Sequence, residues 1–577
     1  MYFTLAISAA TRQRCAELIA AAQGTDPRVL PIPGPAMVAW RAPDERAAVL
    51  RWGSAVLTAI AGGHPAAASH AGTIRADAEA VHARTALARV DPVYLAEVPG
   101  AVLVCDRASW AAAAARRLGD HDPVMVGAFL SMGYPAGAAT PFRGVRALAP
   151  DRSLTVAGGR LVVTSARDRD ADRGGAKGPP GIPLGARQYA QVADALIDVV
   201  TPLRDAGVLV ELSLTGGKDS RLIAAALTAA KVPFRARTHG FASHPDVVIA
   251  AMIAERLGVE HVVTEPRPPG TGTGPGEAEV IRRLRCAVLV SDGMLSAFEN
   301  VGWPDPQFAA EPVQVGGHGG ELLRGGYAAA AWRARRPARA RSEARAPELF
   351  RRLTTRRLGL LRRAAAGEYL ASLGPHAASL PRGPLRTLDD FYLVNRAGRW
   401  SATARQGYLM RAPQVQPFFG DRVVSAARAV PLRDRVTDRL HRGVLAELGP
   451  DLLDLPLAGS GWKSGPTAPS LPARPGSAAG PAPAAAPDWR RNFAGELARI
   501  LRDYALDLGA AGGMFEIVRR RAAEAVLCSP QADPEAAWAL ATLAALLSGD
   551  WLNARGPAGP VPGPVAPGDD DAGRVPR

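Results

Sequence analysis

The sequence predicts an α/β protein in two parts: a mixed α/β N-terminal region, and a C-terminal region built on a doubly wound parallel sheet with many helices. Three observations predict it. The 577-residue chain exceeds what one hydrophobic core usually organises. A charged and then Gly/Pro-rich run, Asp168 to Gly185, reads as a linker. Beyond it, apolar runs of strand length alternate with helix-length amphipathic stretches, the pattern of βαβ units.

Taken in order, residues 1–167 mix short β-like runs with alanine-rich helical stretches, such as Gly100 to Cys105 followed by Ala108 to Leu118. The linker covers 168–186, and the second domain spans 187–555. It opens with a helical stretch (Gln188 to Leu203), a strand (Val208 to Leu214), a Gly-Gly turn and a helix (Asp219 to Ala230). A strand (Phe234 to Thr238), a helix (Val247 to Leu257) and a strand (Val259 to Thr264) follow. After Tyr327 the periodicity is helical nearly to Leu552, interrupted by a Pro/Ala-rich stretch at 466–487 that is expected to be mobile. The tail 556–577 is expected to be disordered, and no internal repeat is evident.

The formal net charge of +15 is concentrated: Trp332 to Arg363 holds twelve arginines against Glu343 and Glu348. Such an excess suits nucleic acid, an anionic surface or an acidic peptide, and charge alone does not choose among them. Only four of the 69 basic residues are lysine: Lys177, Lys218, Lys231 and Lys463. A lysine kept in so arginine-rich a chain marks a position where a compact ammonium is wanted. Cys15, Cys105, Cys286 and Cys528 stand far apart, with neither metal-ligand spacing nor a disulfide framework, which fits a reducing cytoplasm. The N-terminus lacks a positive start before its short apolar run, and no segment approaches the ~20 apolar residues of a membrane span. A soluble, cytoplasmic protein without a membrane partner is expected.

The chemistry concentrates in Leu212-Ser213-Leu214-Thr215-Gly216-Gly217-Lys218-Asp219-Ser220-Arg221, which leaves a strand, turns on two glycines and enters a helix. Glycines let backbone N–H groups approach phosphate oxygens, Thr215 and Ser220 can add hydroxyl donors, and the helix N-terminus contributes positive charge. Asp219 could hold Mg2+ against the phosphates. A tight strand-to-helix turn with an ordinary cap is the alternative, and a Gly-Gly pair alone would favour it.

The whole string resembles the Ser-Gly-Gly-x-Asp-Ser loop of ATP pyrophosphatases, with Thr215 in place of the first serine. Gly316 to Tyr327 (GGHGGELLRGGY) resembles the second signature of asparagine synthetases and puts Glu321 at that family's magnesium ligand. Leu455-Pro456 with Gly461-Trp462-Lys463 resembles its essential-lysine loop, and Gln416 to Arg422 resembles its Pro-Phe-Leu-Asp segment. The likeness covers about 190 to 465 and implies a ligase that uses ATP and Mg2+. It places Leu212, Ser213, Leu214, Thr215, Gly216, Gly217, Asp219, Ser220, Thr238, Gly240 and Gly317 beside the nucleotide, Asp219 and Glu321 on the metal, and Lys218 and Lys463 on the developing charge.

The N-terminal region is similar to that family's glutaminase domain in degenerate form, through Asp106-Arg107, Pro141 to Val145 and Arg160 to Thr164. Tyr2 stands where the nucleophilic cysteine would be, and Cys15 lies inside a helical pattern, so ammonia production from glutamine is not expected. The amine must then come from the substrate itself. Two branches close rings in this way, β-lactam synthetases and lasso peptide macrocyclases, and the loops most closely resemble the latter. That likeness implies a precursor peptide as substrate, a leader-binding protein and a leader peptidase as partners, and an isopeptide bond as product. The Tyr–Glu dyad of β-lactam synthetases aligns with His318 and Asp390, which predicts a relay for the amine's proton. A non-catalytic peptide-binding scaffold and an RNA-directed pyrophosphatase are the competing classes; Glu321 and Lys463 weigh against both, and nucleic acid is not the expected partner.

Overall fold

The computed structural model describes residues 3–6, 29–30, 36–39, 73–76, 80–98, 101–105, 107–157, 160–165, 184–265, 276–299, 312–332, 338–409, 412–459, 461–465, 489–493 and 496–553. Tyr2, Cys15, Asp106, most of the expected linker, the 466–487 stretch and the 556–577 tail lie outside them.

The chain is mixed α/β, with a five-stranded parallel sheet and many helices. Its N-terminal strands are β1 (Phe3–Ala6), β2 (Val29–Leu30), β3 (Ala36–Ala39), β4 (Thr73–Ala76), β5 (Ala80–Arg84), β6 (Tyr94–Val98), β7 (Ala101–Cys105), β8 (Val145–Ala147), β9 (Arg152–Ala157) and β10 (Arg160–Ser165). They form two antiparallel sheets, ordered β2-β3-β1-β7-β6-β8 and β10-β9-β5-β4.

The parallel sheet comprises β11 (Val210–Ser213), β12 (Arg235–His239), β13 (His261–Thr264), β14 (Val313–Gly316) and β15 (Gln414–Val415), in the order β13-β12-β11-β14-β15. The chain steps outward from β11 to β13, then returns to the other side of β11. That reversal falls between β11 and β14, and sheets of this kind bind ligands in the crevice at the carboxyl ends of the strands flanking such a reversal. β11, β12 and β13 fall within two residues of their predicted places. β14 and β15 were not anticipated: one is four residues long and runs into paired glycines, the other has two residues amid helical patterning. The first helix of this region, Leu184–Asp205, starts four residues before Gln188 and absorbs the end of the expected linker.

Two hydrophobic clusters organise the interior, and both mix residues from the two regions. Tyr94, Leu103, Phe129 and Phe142 pack in one cluster with Leu501, Trp538 and Leu543; Leu87, Ala88 and Val90 join Leu212, Leu222 and Val315 in the other. Buried polar contacts reinforce the join. Asp292 accepts from Arg107 Nε at 3.0 Å, from the Ala108 N–H at 2.8 Å and from Ser109 Oγ at 2.7 Å.

Part of the arginine excess is internal. Arg357 is buried against Asp533 and Glu535, whereas Arg356, which also reaches Glu535, Arg351, which pairs with Glu348, and Arg341, Arg345 and Arg352 are exposed. Among the described residues no helix is long and apolar enough to cross a membrane.

Asp292→Ala strands the Arg107 guanidinium in the interior, and breaking a buried pair in this way costs about 3–5 kcal/mol. Thermal unfolding should show a drop of several degrees; an unchanged midpoint would show that the clasp does not hold the two regions together.

Candidate functional site

The loop leaving β11 passes through Leu214 to Gly217 into the helix Lys218–Ala229. Among the described residues no side chain caps this helix; its N-cap is Gly217, and Asp219 and Ser220 lie inside the first turn. Hydroxyls shape the loop instead: Ser220 Oγ accepts from the Thr215 N–H at 3.0 Å, and Thr215 Oγ1 accepts from the Gly217 N–H at 3.2 Å. The Gly216 N–H donates to Asp246 Oδ1 at 3.0 Å, and the Gly216 carbonyl accepts from the Ala458 N–H at 3.1 Å. A side chain at 216 would meet the Ala458 Cβ at 2.7 Å, so glycine is required by the approach of the 455–459 segment.

β14 lies beside β11 with Ser213 opposite Gly316, and the chain beyond it folds over the same helix start. A Cβ at Gly317 would stand 2.5 Å from the Ser220 nitrogen, and one at Gly320 would stand 2.3 Å from the Asp219 carboxyl carbon. This closeness brings Glu321 to Asp219. Arg324 links them, with Nη2 at 2.6 Å from Asp219 and 3.9 Å from Glu321. Burial pushes the Asp219 carboxyl up to about 6, against the pull of Arg324 and with the help of Glu321. Its Oδ1 is buried with no hydrogen-bond donor, and His441 Nε2 stands 3.4 Å away.

His441 is fully buried, and burial followed by Arg324 holds its ring down to about 4. Its Nε2 is 3.2 Å from the Lys218 carbonyl, which can only accept, so the neutral ring carries its proton on Nε2.

Lys218 Nζ donates to Asp438 Oδ2 at 2.7 Å and to the Gly461 carbonyl at 2.9 Å, and lies over the Trp462 ring. The Lys463 N–H donates to the same Asp438 oxygen at 3.2 Å, while its ammonium donates to the Val436 carbonyl at 3.3 Å and stands 4.0 Å from Asp438 Oδ1. Burial lowers Lys463, partly offset by Asp438. Arg221 anchors this loop from below: its buried guanidinium donates to the carbonyls of Leu452 at 2.9 Å, Leu455 at 3.0 Å and Pro456. Lys218, Asp219, Glu321 and Lys463 therefore share one neighbourhood at the β11/β14 crevice.

The other candidates divide. Leu212 and Leu214 are core residues, and Ser213 is exposed. Thr238 is buried, donating to the Leu214 carbonyl at 2.7 Å and lying 2.8 Å from His261 Nε2, so it ties β12 to its neighbours rather than facing a ligand. Gly240 follows β12 and packs on Val247.

The expected His318–Asp390 relay is not assembled. His318 Nε2 contacts Ser401 Oγ at 3.0 Å between the rings of Trp400 and Phe419, while Asp390 is held by Arg428 and approached by Arg386. Asp390 lines a separate cavity of about 700 Å³ with Asp389, Arg428 and Arg435. Burial lowers His318, and the nearest carboxylates acting on it are Glu321 and Asp219.

Sequence reasoning passed over Arg324, Asp438 and His441, which no spacing marks, and the segment Tyr392–Ser401, which winds as a π-helix. On it Arg396 lies over the Trp400 ring at 3.5 Å, Trp400 packs against His318, and Tyr392 meets Tyr327 edge-on. Burial raises the Tyr392 hydroxyl, and Glu321 raises it further.

Among the described residues no group of three His, Cys, Asp or Glu side chains could hold a metal alone. Asp219 and Glu321 still suit Mg2+, which takes one or two carboxylates and completes its shell with substrate phosphates and water. The orphaned Asp219 Oδ1 is the oxygen available for it.

Asp219 and His441 oppose each other in pH. With Asp219 raised from 3.8 to about 6, its contribution is full below pH 3.8 and lost as pH rises through 6; with His441 lowered from 6.5 to about 4, its contribution is full above pH 6.5 and lost on acidification. Asp219→Asn removes the first, so its stability relative to the natural protein should rise by up to roughly 2–3 kcal/mol between about pH 4 and 7. Melting temperatures across that range test this, and a pH-independent difference would refute it.

No protein-family model and no curated protein matches this chain.

Proposed function

We propose that the chain is an ATP-dependent carbon–nitrogen ligase of the asparagine synthetase-like kind, forming AMP and pyrophosphate, and that it acts as a lasso peptide macrocyclase. It adenylates an Asp or Glu side chain of a precursor peptide and joins that carboxyl group to the peptide's N-terminal amine. The observation that carries this reading is the convergence of Lys218, Asp219, Glu321 and Lys463, from three separate segments, on the crevice where the parallel sheet reverses its strand order.

The uncapped N-terminus of helix Lys218–Ala229 and the glycine turn before it suit an oligophosphate. A substrate carboxylate oxygen attacks the α-phosphorus of ATP, the bond to the bridging oxygen breaks, and pyrophosphate departs with the electron pair. Lys218 and Lys463 offset the charge that grows on it. Asp219 and Glu321 would hold Mg2+, which would supply further neutralisation of the phosphates. The amine nitrogen then attacks the acyl carbon, a carbon–nitrogen bond forms and AMP leaves.

The attacking amine is an ammonium near neutral pH and must lose a proton. His318, lowered by burial and so kept neutral, is the group near Glu321 able to take one. The intended partner Asp390 has no part in this step; Ser401 and the flanking rings of Trp400 and Phe419 orient the imidazole.

Lys463→Ala should lower peptide-dependent pyrophosphate release by about 10²-fold or more; isopeptide formation at the natural rate would remove the proposed role. His318→Ala should slow ring closure more than adenylation, followed as ATP–pyrophosphate exchange against macrolactam formed. Equal losses in the two steps would mean that His318 only shapes its loop.

A further inference from the structure

Asp438 carries a burden that its position in the fold does not require. It precedes helix Arg439–Leu448 as its N-cap, where an aspartate ordinarily turns inward to accept from the first-turn N–H groups, yet its side chain makes no such bond. Its backbone is left-handed, with φ 62°, a conformation non-glycine residues hold only when the surroundings impose it. Its side chain is 1% exposed, and Oδ1 is buried without a hydrogen-bond partner among the described residues. A buried carboxylate is costly unless paired, and the pairing here is with two of the chain's four lysines.

We propose that Asp438 is a positioning residue that gathers Lys218 and Lys463 at one point above the β11 loop, so that both ammonium groups meet the same diphosphate. This rests on the pyrophosphate-forming reading and deepens it. Lys218 arrives from the helix start and Lys463 from a loop 245 residues further on; Asp438 Oδ2 joins the Lys218 ammonium at 2.7 Å to the Lys463 backbone N–H at 3.2 Å. Burial works against the Asp438 carboxylate, but Lys218 and Lys463 outweigh it and keep it ionised. The arrangement holds two flexible cations on a rigid anion, leaving the half-exposed Lys463 head free to turn to an incoming phosphate.

The test is Asp438→Asn, which keeps the shape and tolerates the left-handed backbone but removes the charge; Asp438→Gly serves if that variant does not fold. First, amine acylation is followed by mass spectrometry, with exposed Lys231 as internal reference. Labelling of Lys218 and Lys463 relative to Lys231 should rise several-fold, and unchanged labelling overturns the proposal. Second, Asp438→Asn should lower kcat for pyrophosphate release by about 10²-fold with KM for ATP nearly unchanged. The double variant with Lys463→Ala should be no slower than Asp438→Asn alone, since the Lys463 contribution is already lost once Asp438 no longer positions it; multiplied losses overturn the proposal. A natural protein that releases no pyrophosphate, combined with increased labelling in the variant, would instead discard the ligase reading and leave the lysine-gathering role standing.

Discussion

The site depends on one constraint: two loops must touch the start of helix Lys218–Ala229 at backbone distance. Gly216, Gly317 and Gly320 stand where any Cβ would collide, with Ala458, with the Ser220 nitrogen and with the Asp219 carboxyl respectively. Remove that closeness and Glu321 no longer reaches Asp219, nor does the 455–463 segment reach Lys218. The glycines therefore matter less as flexible hinges than as missing side chains. The parallel pairing of β11 with β14 brings the two loops side by side, and the absent Cβ atoms let them close.

Once the loops are closed, charges crowd together. Asp219, Glu321 and Asp438 face Lys218, Lys463 and Arg324; Glu321 and Lys463 are half-exposed, while Asp438 and Lys218 are buried, where an unpaired charge is expensive. The pairs formed are specific: Arg324 on Asp219, Lys218 and Lys463 on Asp438. Formal charge balances within this set, and Asp219 and His441 show what imperfect compensation does, one pushed toward its protonated form and the other held neutral.

The apolar runs from 208 to 264 made β11, β12 and β13 legible, because β11 is buried, β12 alternates buried and partly exposed positions, and helices of ordinary length separate the three strands. The β11 loop was legible because its glycines and hydroxyls are contiguous, and the two lysines stood out against the arginines. The rest of the site was not, for a physical reason. Asp438 and His441 reach Lys218 and Asp219 from more than 200 residues away and leave no local pattern. Arg324 stands before two glycines, and nothing in the sequence around it marks it as the partner of Asp219. The Asp390 assignment failed because Asp389 and Asp390 sit on a helix whose arginine-bearing neighbours, Arg428 and Arg435, claim both carboxylates. A linear motif records neighbours in sequence, and those arginines are neighbours only in space.

The N-terminal region has its own part in this geometry. Arg89, fully buried, donates to the carbonyls of Leu148 and Gly137 at 3.1 Å each in its own region, and to those of Gly398 and Val394 at 3.3 Å each in the π-helical segment. A guanidinium offers five N–H donors and accepts no bonds, so one buried side chain can serve carbonyls of both regions at once. Four residues beyond Val394, the same segment turns through Gly398 to Trp400 and Ser401, which flank His318. A chain of direct contacts thus runs from the N-terminal core to the acidic loop. The region contributes to the site by fixing the backbone on which that loop leans, a role that rests on burial and hydrogen bonds.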